Sequence, residues 1–300
     1  FCVAYSPDGF HWPHPPRMVV STRDVTDADC LLPRRDPATG KWVAFLRPRT
    51  APKRRYIGWS ESEDFDRWTP PRMLLTPDAA DEEWTEFYGL TATCLGEWRV
   101  GSLWVYRNNP DASPMTSELV YSRDGRHYHR ALPRAPFLPL GGDGDFDSRM
   151  VWATAIIERG EELLIFYNGW NREHGSDRDM PMQDKHSGPG VRTGLGLARL
   201  PKRHLCGLRA QTEGVVETKW LCQYSPDGVT AFADIAPGGG IEVEVLDQYA
   251  KTIPGWGRAA SHLRPNPDGS WRCVWGDGDL EAAYGRTSPA GGAIGHVIKL

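Results

Sequence analysis

The sequence lacks several features that would assign it to a class directly. No stretch approaches the roughly 18 consecutive apolar residues of a membrane span. The six cysteines include no CxxC pair and show no spacing typical of a zinc cage. Basic and acidic side chains nearly balance, 35 against 39, which gives a net charge of -4. These absences exclude a membrane-spanning helix and a zinc cage built from CxxC pairs, and the balanced charge does not by itself indicate a surface for nucleic acid or an anionic membrane.

Helical periodicity is also weak, whereas residues typical of strands and turns are plentiful. The 300 residues include 32 glycines, 25 prolines, 13 tryptophans, 10 tyrosines and 9 phenylalanines. Aromatic side chains fit pleated sheets, and glycine and proline mark the turns between short strands. The composition therefore predicts an all-β fold, with strands at segments such as 41–47, 97–107 and 162–167.

A short motif recurs along the first 200 residues. An apolar strand, a polar turn and an aromatic residue follow one another in 4–12, 58–68 and 120–128, and the copies align on Ser6, Ser60 and Ser122. A degenerate fourth copy lies at 194–199. A period of roughly 60 residues suits a four-stranded propeller blade with extended loops. Because a feature repeated in every blade serves the blade, we expect the repeated serines and aspartates to be structural.

After residue 203 shorter strands take over. Apolar and acidic residues alternate in 240–246, as on a half-buried strand, and 271–275 alternates in the same way. We therefore predict a partial propeller at 1–203 and a β-sandwich at 204–300. The chain starts inside the apolar run 1–5 and ends in strand-like residues, so we expect both ends to lie within a longer protein, and no compartment is predicted.

Four segments together carry a resemblance to a known family. They are the Tyr-Ser-Pro-Asp-Gly-x-x-Trp segment at 5–12, Arg35-Asp36-Pro37, Trp-Thr-Glu-Phe-Tyr-Gly at 84–89, and Gly-Val-Val-Glu-Thr at 214–218. In their order and spacing they resemble the five-bladed β-propeller glycoside hydrolases, which include the invertase/fructanase-like and arabinanase/β-xylosidase-like clans. The resemblance implies an all-β fold: a five-bladed β-propeller, with its N-terminal blade or more missing, followed by a β-sandwich.

The resemblance also implies a set of catalytic carboxylates. In invertase-like enzymes three carboxylates come from successive blades, the second within Arg-Asp-Pro and the third a glutamic acid that protonates the leaving group. Asp36 matches the second and Glu86 the third. The family's glutamate is commonly followed by cysteine, whereas Phe87 follows here, which weakens an invertase assignment more than a glycosidase assignment. No aspartate before Asp36 matches the first carboxylate, so we expect it to lie upstream of Phe1.

Glycoside cleavage explains why such carboxylates are needed. The acetal bond breaks through an oxocarbenium-like state that requires a proton on the leaving oxygen and negative charge beneath the ring. Glu86 is flanked by Trp84 and Phe87, and an apolar setting suits a general acid. Asp36 follows two arginines, which suit it to stabilise positive charge. The alternatives are a salt-bridged turn for Asp36 and a surface position after the acidic run 81–83 for Glu86.

Further residues are predicted to contact a sugar, each with a plainer alternative. Asp147 lies in the loop 143–149, which can instead be a Gly/Asp-rich turn or a calcium-like oxygen site. Trp170 can instead be a core residue. We expect the long insertion 172–192 to overhang the site, with His174 or His186 either in a subsite or metal site or simply solvated. The predicted sugar contacts are Arg35, Trp84, Tyr88, Arg107, Asp147, Asn168 and Trp170.

The sequence therefore predicts a glycoside hydrolase acting on an oligo- or polysaccharide, with a furanoside such as a fructoside or arabinoside favoured. Two alternatives stay open: a non-catalytic carbohydrate-binding propeller, and a glycoside phosphorylase that holds phosphate with residues such as Arg47, Arg49 and Arg107. A carbohydrate is the expected partner. No cofactor, metal, nucleic acid or membrane is predicted, and the linkage, the stereochemical outcome and the oligomeric state are left open.

Overall fold

The structure is a computed structural model that describes residues 1–20, 29–50, 54–109, 112–132, 134–174, 190–202, 204–218, 229–247, 249–276 and 297–299. Within these ranges the regular structure is β-strand, apart from one turn of 3-10 helix at Arg258–Ala260. The predicted all-β class is thereby confirmed for the described residues. No helix among the described residues is long and apolar enough to cross a membrane. The chain divides into two compact units, Phe1–Cys206 and Gly207–Leu300.

The first unit begins with a two-stranded ribbon and a four-stranded antiparallel sheet, here called the first meander. The ribbon is β1 (Cys2–Val3) and β2 (Arg17–Met18). In the first meander, β3 (Asp29–Arg35) pairs with β4 (Trp42–Arg47); the chain then forms the small ribbon β5 (Arg49–Thr50) and β6 (Arg54–Arg55) and returns through β7 (Ile57–Ser62) and β8 (Arg72–Leu75).

Two further meanders complete this unit. The second has the order β9 (Thr85–Leu95), β10 (Trp98–Arg107), β11 (Met115–Ser122) and β12 (His129–Arg130). The third has the order β13 (Met150–Arg159), β14 (Glu162–Trp170) and β15 (Thr193–Pro201). A single parallel pair, Met115 with Met150, connects the two. The strands predicted at 41–47, 97–107 and 162–167 correspond to β4, β10 and β14, so these predictions are confirmed.

Each meander has the up-and-down strand order of a propeller blade. The described residues contain three meanders and no closed ring of sheets, so the five-bladed architecture stays a prediction. The first and second meanders pack face to face through one apolar cluster, in which Phe45, Ile57 and Trp59 meet Phe87 and Leu103. Burying each of these side chains contributes about 1.5–3 kcal/mol to the free energy of folding. This interface therefore holds the two sheets, and the side chains at both ends of the interface, in a fixed arrangement.

The first strand of every meander departs from regular pairing near its beginning. In β9 the register shifts opposite Trp104, which leaves Tyr88 as an extra residue. In β13 the extra residue is Thr154. In β3 the shift falls between Asp29 and Leu32. Such bulges bend a strand and redirect the side chains around them, and here they occur at the same end of the three meanders.

The bulge in β9 decides which side chains reach which face. Phe87 and Leu90 are three positions apart, yet both lie in the cluster shared with the first meander, because the extra residue reverses the alternation between them. Tyr88 instead packs with Tyr106 in a second cluster, which β10 shares with the third meander. Gly89 follows the bulge, and a Cβ there would lie 2.2 Å from the Trp104 ring, so only glycine fits.

The repeated motif forms a turn held by an aspartate. In each copy the aspartate oxygen Oδ1 accepts the backbone N–H groups of the second and third residues after it, and Oδ2 meets the side chain of that third residue. This geometry supports the structural role expected for the motif. It also corrects the alignment of the second copy, which rests on Ser62 and not on Ser60. The three sets are Ser6, Asp8 and His11; Ser62, Asp64 and Arg67; and Ser122, Asp124 and His127.

The second unit contains shorter strands around its own core. They are β16 (Val229–Ala231), β17 (Glu244–Leu246), β18 (Ser261–Pro265), β19 (Trp271–Trp275) and β20 (Val297–Lys299), in a three-stranded sheet β16-β19-β18 and a pair β17-β20. Val243 and Val245 are fully buried, as the alternation in 240–246 predicts, and Trp275 donates its ring N–H to the Val243 carbonyl at 3.0 Å. The β-sandwich stays a prediction.

Candidate active site

Glu86 is the second residue of β9, and its side chain is buried where the first and second meanders meet. The residue is only 5% exposed. Its Oε1 accepts a hydrogen bond from Nδ2 of Asn108 at 3.0 Å, and its Oε2 forms an ion pair with Arg55. Arg55 ends β6 and Asn108 follows β10. Two side chains from other elements therefore hold the carboxylate in place.

Aromatic rings form one side of this site. The phenol of Tyr88 lies 3.1 Å from Nε2 of His174, and the Tyr88 ring meets Tyr106 edge to face with centroids 5.6 Å apart. His174 also packs edge-on against Tyr106, at 5.2 Å between centroids. The Tyr106 hydroxyl donates to Oδ1 of Asn108 at 3.1 Å, so the same asparagine contacts both Glu86 and this aromatic group.

Two arginines complete the site. The guanidinium of Arg47, the last residue of β4, lies 3.6 Å above the centroid of the Tyr88 ring, and Arg47 is 3% exposed. The guanidinium of Arg55 lies 5.5 Å from the Tyr88 centroid and 5.4 Å from that of Tyr106. Both cations therefore lie over aromatic faces of this group.

The contacts of Glu86 limit its chemistry. Both carboxylate oxygens accept hydrogen bonds from donors that carry no lone pair to receive a proton in return. An ion-paired carboxylate in a fixed position can stabilise positive charge on a neighbouring group. The proton-donor role expected from the sequence stays a prediction.

Three of the predicted sugar contacts lie with Glu86. Tyr88 belongs to the aromatic group itself. Trp84 immediately precedes β9, is 41% exposed, and its carbonyl accepts the Asn108 N–H at 2.9 Å. Arg107 pairs with Thr85 in the sheet, and its Nε donates to Glu82 at 3.2 Å.

Asp36 lies elsewhere, so the expectation that it faces Glu86 across one hollow is wrong. Its carboxylate contacts Cys94, near the end of β9, whereas Glu86 is at the beginning of the same strand. Eight residues of extended strand separate these points by about 25 Å. Arg35 stays with Asp36, where its Nε donates to the Gly40 carbonyl at 3.2 Å in the turn between β3 and β4. The Arg-Asp-Pro segment is thus the hairpin turn that was its plainer alternative.

Asp36 is bound by its own turn and by the next meander. Its Oδ1 accepts the Ala38 N–H at 2.8 Å, and its two oxygens receive three hydrogen bonds from Arg99 at 3.0–3.3 Å. Burial disfavours the ionised carboxylate, but the Ala38 N–H and the Arg99 guanidinium outweigh it and hold the pKa of Asp36 below its usual value. This carboxylate therefore joins the first meander to the second.

The remaining predicted residues belong to the third meander. Asp147 accepts the Tyr167 hydroxyl at 3.0 Å and packs against Gly169, so its contacts stay within that meander. Asn168 pairs with Trp152 in the sheet. Trp170 packs with Tyr106 in the apolar cluster behind the aromatic group, as its core alternative expects. His186 lies outside the described residues.

Sequence reasoning missed Arg55 and Asn108. Arg55 reaches Glu86 only through the packing of two meanders, and Asn108 reaches it across the β9–β10 hairpin. His174, one of the two histidines that the sequence offered for a subsite, lies against Tyr88. A second acidic residue, Asp29, is marked by its position in the strand pairing. The backbone of Asp29 pairs with Arg47 before the register shift in β3, and the backbone of Glu86 pairs with Tyr106 before the bulge in β9. Asp29 and Glu86 thus each lie at the beginning of the first strand of a meander.

No group of three or more His, Cys, Asp or Glu side chains that could hold a metal ion occurs in the described part of the chain.

No protein-family model and no curated protein matches the sequence. Among solved structures, an N-acetylgalactosamine deacetylase from F. plautii is similar over 68% of this chain, at 16% identity and a TM-score of 0.49. A glycoside hydrolase is similar over 67% of this chain, at 13% identity and a TM-score of 0.46.

A β-1,2-mannobiose phosphorylase from Listeria innocua matches over 60% of this chain, at 15% identity and a TM-score of 0.42. The matched parts span 61%, 56% and 46% of these three chains, less than two thirds of each. All three scores lie below 0.5, so the likenesses decide neither fold nor activity.

Proposed function

We propose that this protein is a glycoside hydrolase and that Glu86 is one of its reacting carboxylates. The observation that carries the proposal is a buried carboxylate fixed by Arg55 and Asn108 beside an aromatic group that includes Tyr88. Glycosidic bonds break through a cationic state that negative charge stabilises, and aromatic rings offer apolar faces for a sugar. The substrate is a glycosidic bond of an oligo- or polysaccharide, with a furanoside favoured.

We further propose that Asp29 supplies the second carboxylate, in place of Asp36. Like Glu86 in β9, it lies before the register shift at the beginning of the first strand of a meander. Glycosidases use two carboxyl groups about 5 to 9.5 Å apart, so the proposal requires the carboxyl groups of Asp29 and Glu86 to lie within that separation. In this proposal the three meanders are blades of a five-bladed propeller, and the unit after residue 206 is a β-sandwich.

The test is hydrolysis of a panel of aryl furanosides and pyranosides by the purified chain and two variants. Glu86→Gln keeps the shape of the side chain and removes its charge, so we expect turnover to fall by about 10²- to 10⁴-fold. Asp143→Asn is the control, because that side chain is 99% exposed, and its turnover should be unchanged. Hydrolysis that persists undiminished in Glu86→Gln contradicts the proposal.

The leaving group separates the possible roles of Glu86. If it protonates the leaving oxygen, Glu86→Gln loses far more activity on poor leaving groups than on activated ones. If it stabilises the cationic state or acts as base or nucleophile, the loss is similar on both. The contact with Arg55 favours the second pattern.

Phosphorolysis is the second candidate, because Arg47 and Arg55 both lie at the site. Guanidinium groups bind phosphate through paired hydrogen bonds. A phosphorylase would release sugar phosphate only when inorganic phosphate is present, whereas a hydrolase cleaves without it. Product analysis with and without phosphate distinguishes the two. A chain that binds oligosaccharides in both conditions and cleaves none would be the carbohydrate-binding alternative.

A further inference from the structure

A cavity of about 350 Å³ lies between the first and second meanders, at the end of β9 remote from Glu86. Its wall is formed by the end of β3 with the following turn, the end of β9 and the start of β10. The volume falls within the range of small-molecule sites in proteins. Because about 20 Å of strand separates Glu86 from Ala92, the lining residue of β9 that is nearest to it in the chain, this pocket is distinct from the proposed active site.

The inner wall of the pocket is apolar. Phe45, Ala92 and Tyr128 are buried members of the cluster between the two meanders, and Val43 packs against them. The Tyr128 ring meets Phe45 edge to face, with centroids 5.9 Å apart. Burial raises the pKa of the Tyr128 phenol, so this hydroxyl stays neutral. The inner wall is therefore suited to the apolar body of a ligand, such as a ring or a short hydrocarbon chain.

The outer wall carries more positive than negative charge. Arg34, Arg35 and Arg99 line the pocket, and Asp36 is the acid among its lining residues. Asp36 is already bound by Arg99, and their side chains are 11% and 12% exposed. Arg35 lies at the exposed rim. Because Asp36 balances the charge of Arg99, no acid among the lining residues remains to balance the charge of Arg34.

Arg34 is the group that points to a ligand. In the part of the chain that the structure describes, its Nη1 is buried without a hydrogen-bond partner. Burial lowers the pKa of this guanidinium, but arginine remains charged in proteins. A buried charge without a counter-ion is costly, and an anion that binds beside it removes that cost.

We propose that this pocket binds a small organic anion, with a carboxylate beside Arg34 and an apolar body against Phe45, Val43 and Tyr128. This orientation follows from the exposure of the lining residues, because Arg34 and Arg35 are partly or largely exposed whereas Phe45 and Tyr128 are buried. The bound anion would also bridge the first meander to the second, because Arg34 belongs to β3 and Tyr128 follows β11. A neutral molecule of the same shape leaves Arg34 uncompensated and binds less tightly.

Benzoate tests the proposal, with benzamide as its neutral counterpart. By titration calorimetry on the full chain we expect benzoate to bind roughly 10- to 100-fold more tightly than benzamide, the range for a hydrogen bond to a charged group. Arg34→Met should remove this preference. Arg72→Met, which deletes an exposed arginine of β8 outside the pocket lining, should retain it. Equal affinity for the two compounds, or equal benzoate binding by the two variants, overturns the proposal.

A second readout does not depend on any variant. Cys94 lines the pocket, whereas Cys2 and Cys206 are exposed elsewhere. Saturating benzoate should slow the alkylation of Cys94 several-fold and leave the rates of Cys2 and Cys206 unchanged, as measured for each cysteine peptide by mass spectrometry. If benzoate leaves the rate of Cys94 unchanged, it does not occupy the pocket, and the proposal is wrong.

Discussion

The two ends of β9 each hold a carboxylate bound by an arginine, and the two pairs differ in what else they contact. Asp36 also accepts an N–H from its own hairpin turn, which fixes it by local backbone geometry. Glu86 is held by side chains from two other elements and borders an aromatic group. A carboxylate that completes its own turn has its hydrogen-bonding capacity committed to the fold. The carboxylate of Glu86 completes no turn of its own, which is why we propose Glu86, and not Asp36, as a reacting carboxylate.

The largest effect on stability is expected when the Glu86 pair loses its cation. Arg55→Met leaves a carboxylate whose side chain is 6% exposed without its counter-charge, which should cost about 3–5 kcal/mol of unfolding free energy. Urea unfolding at neutral pH measures it. The double variant Arg55→Met/Glu86→Gln removes both charges and should recover much of the loss. If the double variant is as unstable as the single one, the pair is not the cause.

A smaller effect, with a defined pH dependence, is expected at the other end of β9. Asp36→Asn keeps the contact with Ala38 and loses the charge that Arg99 binds, so we expect a cost of about 1–3 kcal/mol at pH 7. Because folding lowers the pKa of Asp36, the wild-type advantage is present above the unfolded-state pKa of about 3.9. It is lost as the pH falls through the lower folded-state value.

Urea midpoints of the wild type and Asp36→Asn should therefore approach each other below about pH 4. Turnover of any substrate found for the protein should be far less sensitive to Asp36→Asn than to Glu86→Gln. Equal losses of activity in the two variants would restore Asp36 to the catalytic role that the sequence predicted.

The smallest effect is expected at the repeated turns. Asp124 makes the same kind of local hydrogen bonds as Asp36, and the His127 side chain followed by the His127 N–H holds its pKa well below the usual value. Its side chain is 49% exposed, so solvent screens the interaction with His127. Asp124→Asn should cost about 0.5 kcal/mol or less in urea unfolding. If Asp124→Asn lowers the free energy of unfolding as much as Asp36→Asn does, solvent exposure does not explain the difference expected between the two turns.

Sequence reasoning placed the strands and the turns more successfully than the site. It grouped Glu86, Tyr88, Trp84 and Arg107, which do lie together because they are neighbours in the chain or partners across one hairpin. It misplaced Asp36, because a tripeptide motif does not tell which end of a strand pair it occupies. It also passed over Tyr224-Ser225-Pro226-Asp227-Gly228, a further copy of the turn motif that lies outside the described residues.

By itself the sequence determined the all-β class, the meanders and their aspartate turns, because alternation and local hydrogen bonding act over a few residues. Only the tertiary structure decided which side chains meet. The bulge at Tyr88 reverses the faces of β9, and packing between meanders brings Arg55 and His174 to the site from distant positions in the chain. These contacts depend on how whole sheets pack, and no pattern within one segment encodes that.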